Sequence, residues 1–134
     1  MPIATWSATK APPNISEETI AAAAAFVAAH YDEEGYTILA TAEQTTQGLL
    51  PLAARRNGHF VLPSLRVAEH GTEFGPPIGA YEHDTPSALR ALLTSWFSDT
   101  GQIPPPLPLR LDAVGVYLDR DGAPVALDIV QSAY

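Results

Sequence analysis

The stretch GLLPLAARRNGHFVLPSLRV, residues 48–67, decides the fold. Asn57 and Gly58 separate its two apolar runs, and Asn-Gly is the strongest short signal for a β-hairpin because both residues tolerate positive φ angles. Pro51 and Pro63 interrupt the runs, which predicts a strand edge, a strand end or a bulge at each proline. The stretch has no acidic residue, so the predicted hairpin cannot itself hold a catalytic metal ion.

A helix is predicted before this hairpin. Asn14 can cap it, and Glu17 three residues later would complete a capping box. The helix then runs through an alanine-rich segment to about Tyr31, and residues 1–13 precede it as a flexible leader. Its predicted buried face consists of Ile20, Ala23, Ala24, Val27 and Tyr31.

A second helix is predicted after a loop rich in glycine and proline, residues 68–83. Thr85 is a suitable cap, and Pro86 takes the first helical position, where its missing N–H costs nothing. The apolar residues of this helix recur at helical spacing and are Leu89, Leu92, Leu93, Trp96 and Phe97. Gly101 ends it.

Three further strands are predicted at residues 36–40 (YTILA), 110–118 and 124–130. The order α-β-β-β-α-β-β predicts an α/β domain with a five-stranded mixed sheet flanked by helices. A chain of 134 residues is the usual size of one domain. We therefore expect residues 14–134 to form a single domain.

The composition excludes several classes of protein. There is no cysteine, and hence no disulfide framework and no thiolate site. Fifteen acidic residues stand against seven basic ones, and the net charge of −8 opposes nucleic-acid binding. No signal peptide is recognisable, and no run approaches the roughly 20 apolar residues of a membrane span. We expect a cytoplasmic protein that binds neither nucleic acid nor membrane.

Several short motifs resemble those of the YraN-type family of small bacterial proteins, whose fold is restriction-endonuclease-like. The segments that carry the resemblance are residues 35–39 (GYTIL), 48–58, 74–80 (FGPPIGA), 110–116 (RLDAVGV) and 132–134 (SAY). The family has Gly-Tyr-x-Ile-Leu, a Gly-Glu-Ile-Asp strand, Phe-Gly-x-Pro-x-x-Ala, Arg-Phe-Asp-Val-Val-x-Val and Asn-Ala-Phe at the corresponding places. The resemblance implies a restriction-endonuclease-like fold for this chain.

The family's presumed activity is metal-dependent cleavage of phosphodiesters. It needs an aspartate on the first hairpin strand and Glu-x-Lys on the second, because two carboxylates hold Mg²⁺ and the lysine orients the nucleophile. Pro51, or Leu52 with the gap placed differently, stands at the aspartate position, and Ser64 and Arg66 stand at the other two. The resemblance therefore implies a nuclease fold that has lost its catalytic motif.

Other residues could hold a metal ion only in the loop region. The candidate ligands are Glu69, His70, Glu73, Glu82, His83 and Asp84. Histidines and carboxylates bind zinc and other divalent ions, but these spacings match no known helical site, and solvated loop residues are the favoured interpretation. Asp112 next to Arg110 on a strand favours a structural ion pair or hydrogen bond.

The hairpin has few polar positions on either face, so both faces must be covered. The chain's own helices can cover one, and either another part of the chain or a second chain can cover the other. The residues predicted to form a binding surface are Phe60, Leu62, Leu65, Arg55, Arg56 and Arg66.

The leading hypothesis is a non-catalytic YraN-like protein without a cofactor that binds a protein partner or assembles with its own copies. One alternative is a divergent metal-dependent nuclease or hydrolase that uses the carboxylates and histidines of residues 69–84. The other is an acidic inhibitor that mimics nucleic acid.

Overall fold

The computed structural model describes residues 15–69, 79–80 and 85–132. The elements are α1 (Glu17–Glu33), β1 (Thr37–Thr45), β2 (Gly48–Arg56), β3 (His59–Glu69), β4 (Gly79–Ala80), α2 (Pro86–Asp99), β5 (Leu109–Leu118) and β6 (Pro124–Val130). Apart from the two-residue strand β4, which was not predicted, this is the predicted order α-β-β-β-α-β-β. The predicted leader, residues 1–13, lies outside the described residues.

The described strands form one mixed sheet of order β1-β2-β3-β5-β6, with β4 paired to β3. The pairs β1–β2, β2–β3 and β5–β6 are antiparallel. In contrast, β3 and β5 are parallel, from Phe60 opposite Leu109 to Glu69 opposite Leu118. A parallel pair needs a crossover connection, and α2 lies in it. The predicted five-stranded mixed sheet with flanking helices is confirmed.

The predicted hairpin is formed by β2 and β3. Asn57 and Gly58 have φ angles of 51° and 76°, as the tightest hairpin turns require. The pairing of β2 with β3 extends from Arg56 opposite His59 to Ala54 opposite Val61. It does not extend to Pro51 or Pro63. Both prolines are buried in the middle of central strands, and Pro63 lies opposite Asp112 in the register of β3 with β5, so a strand end at either proline is wrong. Neither has a partner across the β2–β3 side, where a proline has no N–H to donate.

The two helices cover opposite faces of the central strands. Successive residues of a strand point to opposite faces, and along β3 they alternate between two buried clusters. Phe60 and Leu62 pack with the apolar side of α2, whereas Val61 and Leu65 pack with that of α1. Both faces of the hairpin are therefore covered by the chain's own helices.

This packing corrects the apolar part of the predicted binding surface. Phe60, Leu62 and Leu65 are only 5%, 0% and 1% exposed, so their side chains belong to the core and cannot contact a partner in this fold. The sequence indicated correctly that these faces must be covered. It did not indicate that one helix would lie on each of them.

The starts of the helices partly match the predictions. The cap of α1 is Ser16, whose Oγ accepts a hydrogen bond from the Thr19 N–H at 3.2 Å. The predicted cap Asn14 lies outside the described residues, and the proposed capping box with Glu17 is wrong. Thr85 caps α2 as predicted, accepting from the Ala88 N–H at 3.3 Å. The predicted buried faces of both helices are confirmed.

In the part of the chain that the structure describes, no helix has the length and apolar character needed to cross a membrane.

Candidate binding site at one end of the sheet

The two ends of the sheet carry different side chains. The β2–β3 turn and the first residues of β3 and β5 lie at one end, and the β1–β2 and β5–β6 turns lie at the other. We call the first the basic end, defined by Arg55, Arg56, His59, Arg90 and Arg110. The second is the acidic end, defined by Asp99, Asp119 and Asp121.

The centre of the basic end is an ion pair between Arg110 and Asp112. The guanidinium donates from Nε to Oδ1 at 2.9 Å and from Nη2 to Oδ2 at 2.8 Å. The Asp112 side chain is 0% exposed and that of Arg110 is 17% exposed. The hydrogen bonds to Asp112 raise the pKa of Arg110 above its already high value. The predicted structural role of Asp112 is confirmed.

Two further donors complete the hydrogen bonds of the Asp112 carboxylate. The Tyr31 hydroxyl of α1 donates to Oδ2 at 2.7 Å, and the Ser132 N–H donates to Oδ1 at 3.0 Å. Burial, reinforced by the bond to Asp112, raises the pKa of Tyr31 well above its usual value. Four donors match the roughly four acceptor sites of a carboxylate. Asp112 therefore has no remaining site for a metal ion or a substrate proton.

Tyr36 joins Arg110 to Arg56. Arg110 Nη2 donates to the Tyr36 hydroxyl at 2.8 Å. The guanidinium carbons of Arg56 and Arg110 lie 5.1 and 5.5 Å from the centroid of the Tyr36 ring, within the range of cation–π attraction. Arg56 also donates to the Glu34 carbonyl at 2.7 Å, beyond the end of α1. These contacts hold two arginines in fixed positions at the basic end.

A cleft of about 390 Å³ opens beside Arg110. Its lining residues are His59, Arg90, Pro108, Leu109, Arg110, Leu111 and Ser132. Arg110 Nη1 lies 3.4 Å from His59 Nε2. Nη1 carries two N–H groups, so at least one of them has no acceptor among the described residues and is available to a ligand in the cleft. Arg90 has no ion pair with any residue of the described ranges. The cleft thus presents two arginines and a histidine, and none of the described residues that line it is acidic.

A second cleft, of about 190 Å³, lies on the α1 side of the same end. Its lining residues are His30, Tyr31, Glu34, Tyr36, Arg56, Ile129 and Gln131. It is smaller, and Glu34 adds an acidic side chain. The cleft beside Arg110 is therefore the better site for an anionic group.

The predicted site residues are distributed over several places. Arg55 and Arg56 are exposed at the basic end, whereas Arg66 lies half-buried in β3, far along the strand from them. Pro51 and Ser64 are buried inside β2 and β3. Glu69 is the last residue of β3, and the other five candidate metal ligands lie outside the described residues: His70, Glu73, Glu82, His83 and Asp84. Among the described residues, no group of three or more possible ligands could hold a metal ion.

Five residues at or beside the basic end were not predicted as site residues: Tyr31, Tyr36, His59, Arg90 and Arg110. The spacing of Arg110 and Asp112 gave a usable signal for the ion pair, because residues two apart on a strand share a face. Tyr31 and Tyr36 gave no signal of a site, since an aromatic residue beside a helix end is usually an ordinary residue of the hydrophobic core. Arg90 follows the buried Leu89 and is exposed on α2, and a charged residue on the exposed side of a helix carries no signal of its own.

No known family model matches this chain, and no curated protein matches it at a significant level. The resemblance to the YraN-type family rests on the short motifs alone and stays a prediction.

Proposed function

We propose that this chain is a non-catalytic protein-binding module whose basic end receives an acidic residue of a partner protein. The observation that carries the proposal is the convergence of Arg90, Arg110 and His59 on one cleft, in a chain of net charge −8. Guanidinium groups match carboxylates in geometry and form charge-assisted hydrogen bonds with them. Asp112 and Tyr36 hold Arg110 in place before a ligand arrives, which lowers the entropy lost on binding.

The apolar wall of the cleft suits an apolar residue that neighbours the acidic residue in the partner's sequence. Pro108, Leu109 and Leu111 line it together with the basic side chains. Binding sites commonly combine an apolar wall with a few fixed polar groups that orient the ligand. The proposed ligand is therefore a short segment in which apolar residues flank one acidic residue.

A nucleic acid fits this end less well. Binding a polyanion requires several phosphate contacts at once, and of the four arginines at the basic end only Arg90 and Arg110 are among the described residues that line the cleft. The net charge of −8 repels a long row of negative charges. A single carboxylate instead forms short-range bonds, and charges beyond about 8 Å are largely screened from it at physiological ionic strength.

The absence of catalysis is the second part of the proposal, and two observations support it. Pro51, Ser64 and Arg66 cannot form the two-carboxylate metal site of a nuclease. The four hydrogen bonds of Asp112 leave it no free acceptor site. The alternative hydrolase would need the carboxylates and histidines of residues 69–84, and metal analysis of untreated protein tests it, because bound metal at one ion per chain supports only that alternative.

The third hypothesis, an acidic mimic of nucleic acid, requires acidic side chains along one face. Exposed acidic residues lie at both ends of the sheet instead. Asp32, Glu33 and Glu34 end α1 near the basic end, and Asp99 and Asp121 lie at the acidic end. This distribution does not favour a mimic.

Affinity capture from extracts of the protein's own cells, at modest salt, tests the proposal. The baits are the unmodified chain, Arg90→Glu and Arg120→Glu. The two variants change the net charge equally, but Arg120 lies in the turn at the acidic end. We expect the unmodified chain and Arg120→Glu to retain the same protein, and Arg90→Glu to retain at least about tenfold less, because a charge-assisted hydrogen bond is replaced by repulsion.

If Arg90→Glu and Arg120→Glu retain equal amounts of the captured protein, the basic end is not the binding surface. Cleavage of branched or single-stranded DNA with Mg²⁺ or Mn²⁺, lost on Asp112→Asn, would contradict the absence of catalysis.

A further inference from the structure

β6 forms one outer edge of the sheet, and no other strand of the described residues pairs with its outward side. Its side chains are mostly apolar. Val125 is 47% and Val130 is 61% exposed, and Leu127 and Ile129 are half-buried. An outer strand of this kind presents unpaired N–H and C=O groups to any strand that approaches it. As far as the described residues go, β6 is therefore open to strand addition.

The opposite edge of the sheet, β1, is protected. Its pairing with β2 shifts register between Ile38 and Ala40. Ala42 has a φ angle of 50°, which interrupts the extended backbone, and Glu43 is exposed. Irregularities and charges are common means by which proteins block strand addition. β6 also has one register shift with β5, between Tyr117 and Leu118, but its register is regular from Val130 to Ala126.

We propose that β6 pairs antiparallel with β6 of a second copy of this chain, which joins two sheets into one. A two-fold axis perpendicular to the sheet keeps residues of the same face opposite each other. With Leu127 opposite its own copy, all seven residues of β6 find a partner. Val125 then lies opposite Ile129, and Pro124 lies opposite Val130, so the exposed apolar side chains cover one another.

The charge of Asp128 favours the register centred on Leu127 over the register centred on Asp128. A register centred on Asp128 would place two carboxylates directly opposite each other, which is destabilising. With Leu127 at the centre, Asp128 lies opposite Ala126. Tyr117 already holds the Asp128 carboxylate, donating to Oδ2 at 2.8 Å. The acidic residue of β6 is thus compatible with the proposed pairing.

The charges at the two ends of β6 also complement a second copy. Pro124 follows the β5–β6 turn, which carries Asp119, Asp121 and one arginine, Arg120. Val130 is followed by Ser132, which lines the cleft of the basic end. Antiparallel pairing places the net acidic turn of each copy next to the basic end of the other. Glu34 also lies near this end of β6, beside Ile129 and Gln131, so the charge complement rests on the two arginines of the cleft, Arg90 and Arg110.

Sedimentation equilibrium of the full chain, over about two decades of concentration, tests the proposal. We expect a reversible dimer. Val130→Lys and, separately, Val125→Lys should raise the dissociation constant at least about tenfold, because an edge lysine opposes strand pairing. Ile103→Lys is the matched control, since it also replaces an exposed apolar side chain by lysine, at a residue that is 91% exposed and lies outside β6. It should dimerise like the unmodified chain.

A chain that stays monomeric at every concentration overturns the proposal. So does a dimer that Ile103→Lys weakens as much as the two β6 variants do. Circular dichroism of each variant confirms that it is folded before it is compared. The dimer goes beyond the proposed binding at the basic end, and the two proposals can fail separately because different variants test them.

Discussion

The basic end and the acidic end of the sheet both contain a short carboxylate contact, in very different surroundings. At the basic end, Asp112 is fully buried and accepts from Arg110, Tyr31 and the Ser132 N–H. At the acidic end, exposed Asp99 accepts from the N–H and the hydroxyl of Thr46, both at 2.7 Å. The distances are alike, but water can replace the partners of Asp99 and cannot reach Asp112. Burial rather than bond length therefore sets what each contact contributes to stability.

Asp112→Ala should have the largest effect on stability. It leaves the Tyr31 hydroxyl without its buried acceptor, and it breaks the ion pair of Arg110, which keeps its hydrogen bond to the Tyr36 hydroxyl. Removing one partner of a buried ion pair costs about 3 to 5 kcal/mol, and we expect the lower end because Arg110 is 17% exposed and can regain some water. Urea unfolding followed by the fluorescence of the buried Trp96 measures the loss. A loss no larger than that of Asp99→Ala, the same change at the acidic end, would contradict the comparison.

Tyr31→Phe should have an intermediate effect. It removes one hydrogen bond to a buried carboxylate and keeps the ring, so we expect a loss of about 1.5 to 3 kcal/mol at neutral pH. The same urea titration measures it. Arg110 remains paired with Asp112 in this variant, and for that reason the loss should be smaller than that of Asp112→Ala.

Tyr31→Phe also tests how the free energy of unfolding depends on pH. The pKa of Tyr31 is raised in the folded chain, so an unfolded chain releases this proton at about pH 10 while the folded chain keeps it. The stabilisation is present in full below about pH 10 and is lost as the pH rises above it. The stability difference between the unmodified chain and Tyr31→Phe should therefore shrink above that pH. A difference that stays constant to higher pH would show that burial does not hold the proton on Tyr31.

Asp99→Ala should have the smallest effect. Hydrogen bonds from Thr46 lower the pKa of Asp99, so its contribution is present above the usual aspartate pKa of about 4 and is lost as the pH falls through the lowered value. Solvent competes for both hydrogen bonds, and the change in the urea midpoint at pH 7 should be the smallest of the three. A midpoint change at pH 7 that exceeds that of Tyr31→Phe would contradict this ranking.

The sequence predicted the fold well because its signals are local. Asn57 and Gly58 determine a turn through their backbone conformations, and Thr85 with Pro86 determines a helix start. The apolar spacing of α2 identified its buried side without any knowledge of what would cover it. The cap of α1 was misplaced because Asn14 and Ser16 are both good caps, and local sequence does not decide between them.

The candidate site was largely hidden from the sequence because it depends on distant parts of the chain. His59, Arg90 and Arg110 converge only because β3 and β5 are parallel neighbours and α2 crosses between them. Burial of Phe60 and Leu65 under two different helices is likewise a consequence of topology. Apolar residues on both faces of the strands predicted that both faces of the hairpin would be covered. The pattern does not tell whether a helix of the same chain or a partner protein covers them.

The central claim is that the basic end is the surface that binds a carboxylate. A nuclear magnetic resonance titration of the ¹⁵N-labelled chain tests it most directly, with a peptide that carries one glutamate between leucines as the probe. We predict that amide and side-chain signals of His59, Arg90 and Arg110 shift with the peptide concentration, while those of Thr46 and Asp121 at the acidic end stay in place. Shifts confined to the acidic end, or spread evenly over both ends, would contradict the account.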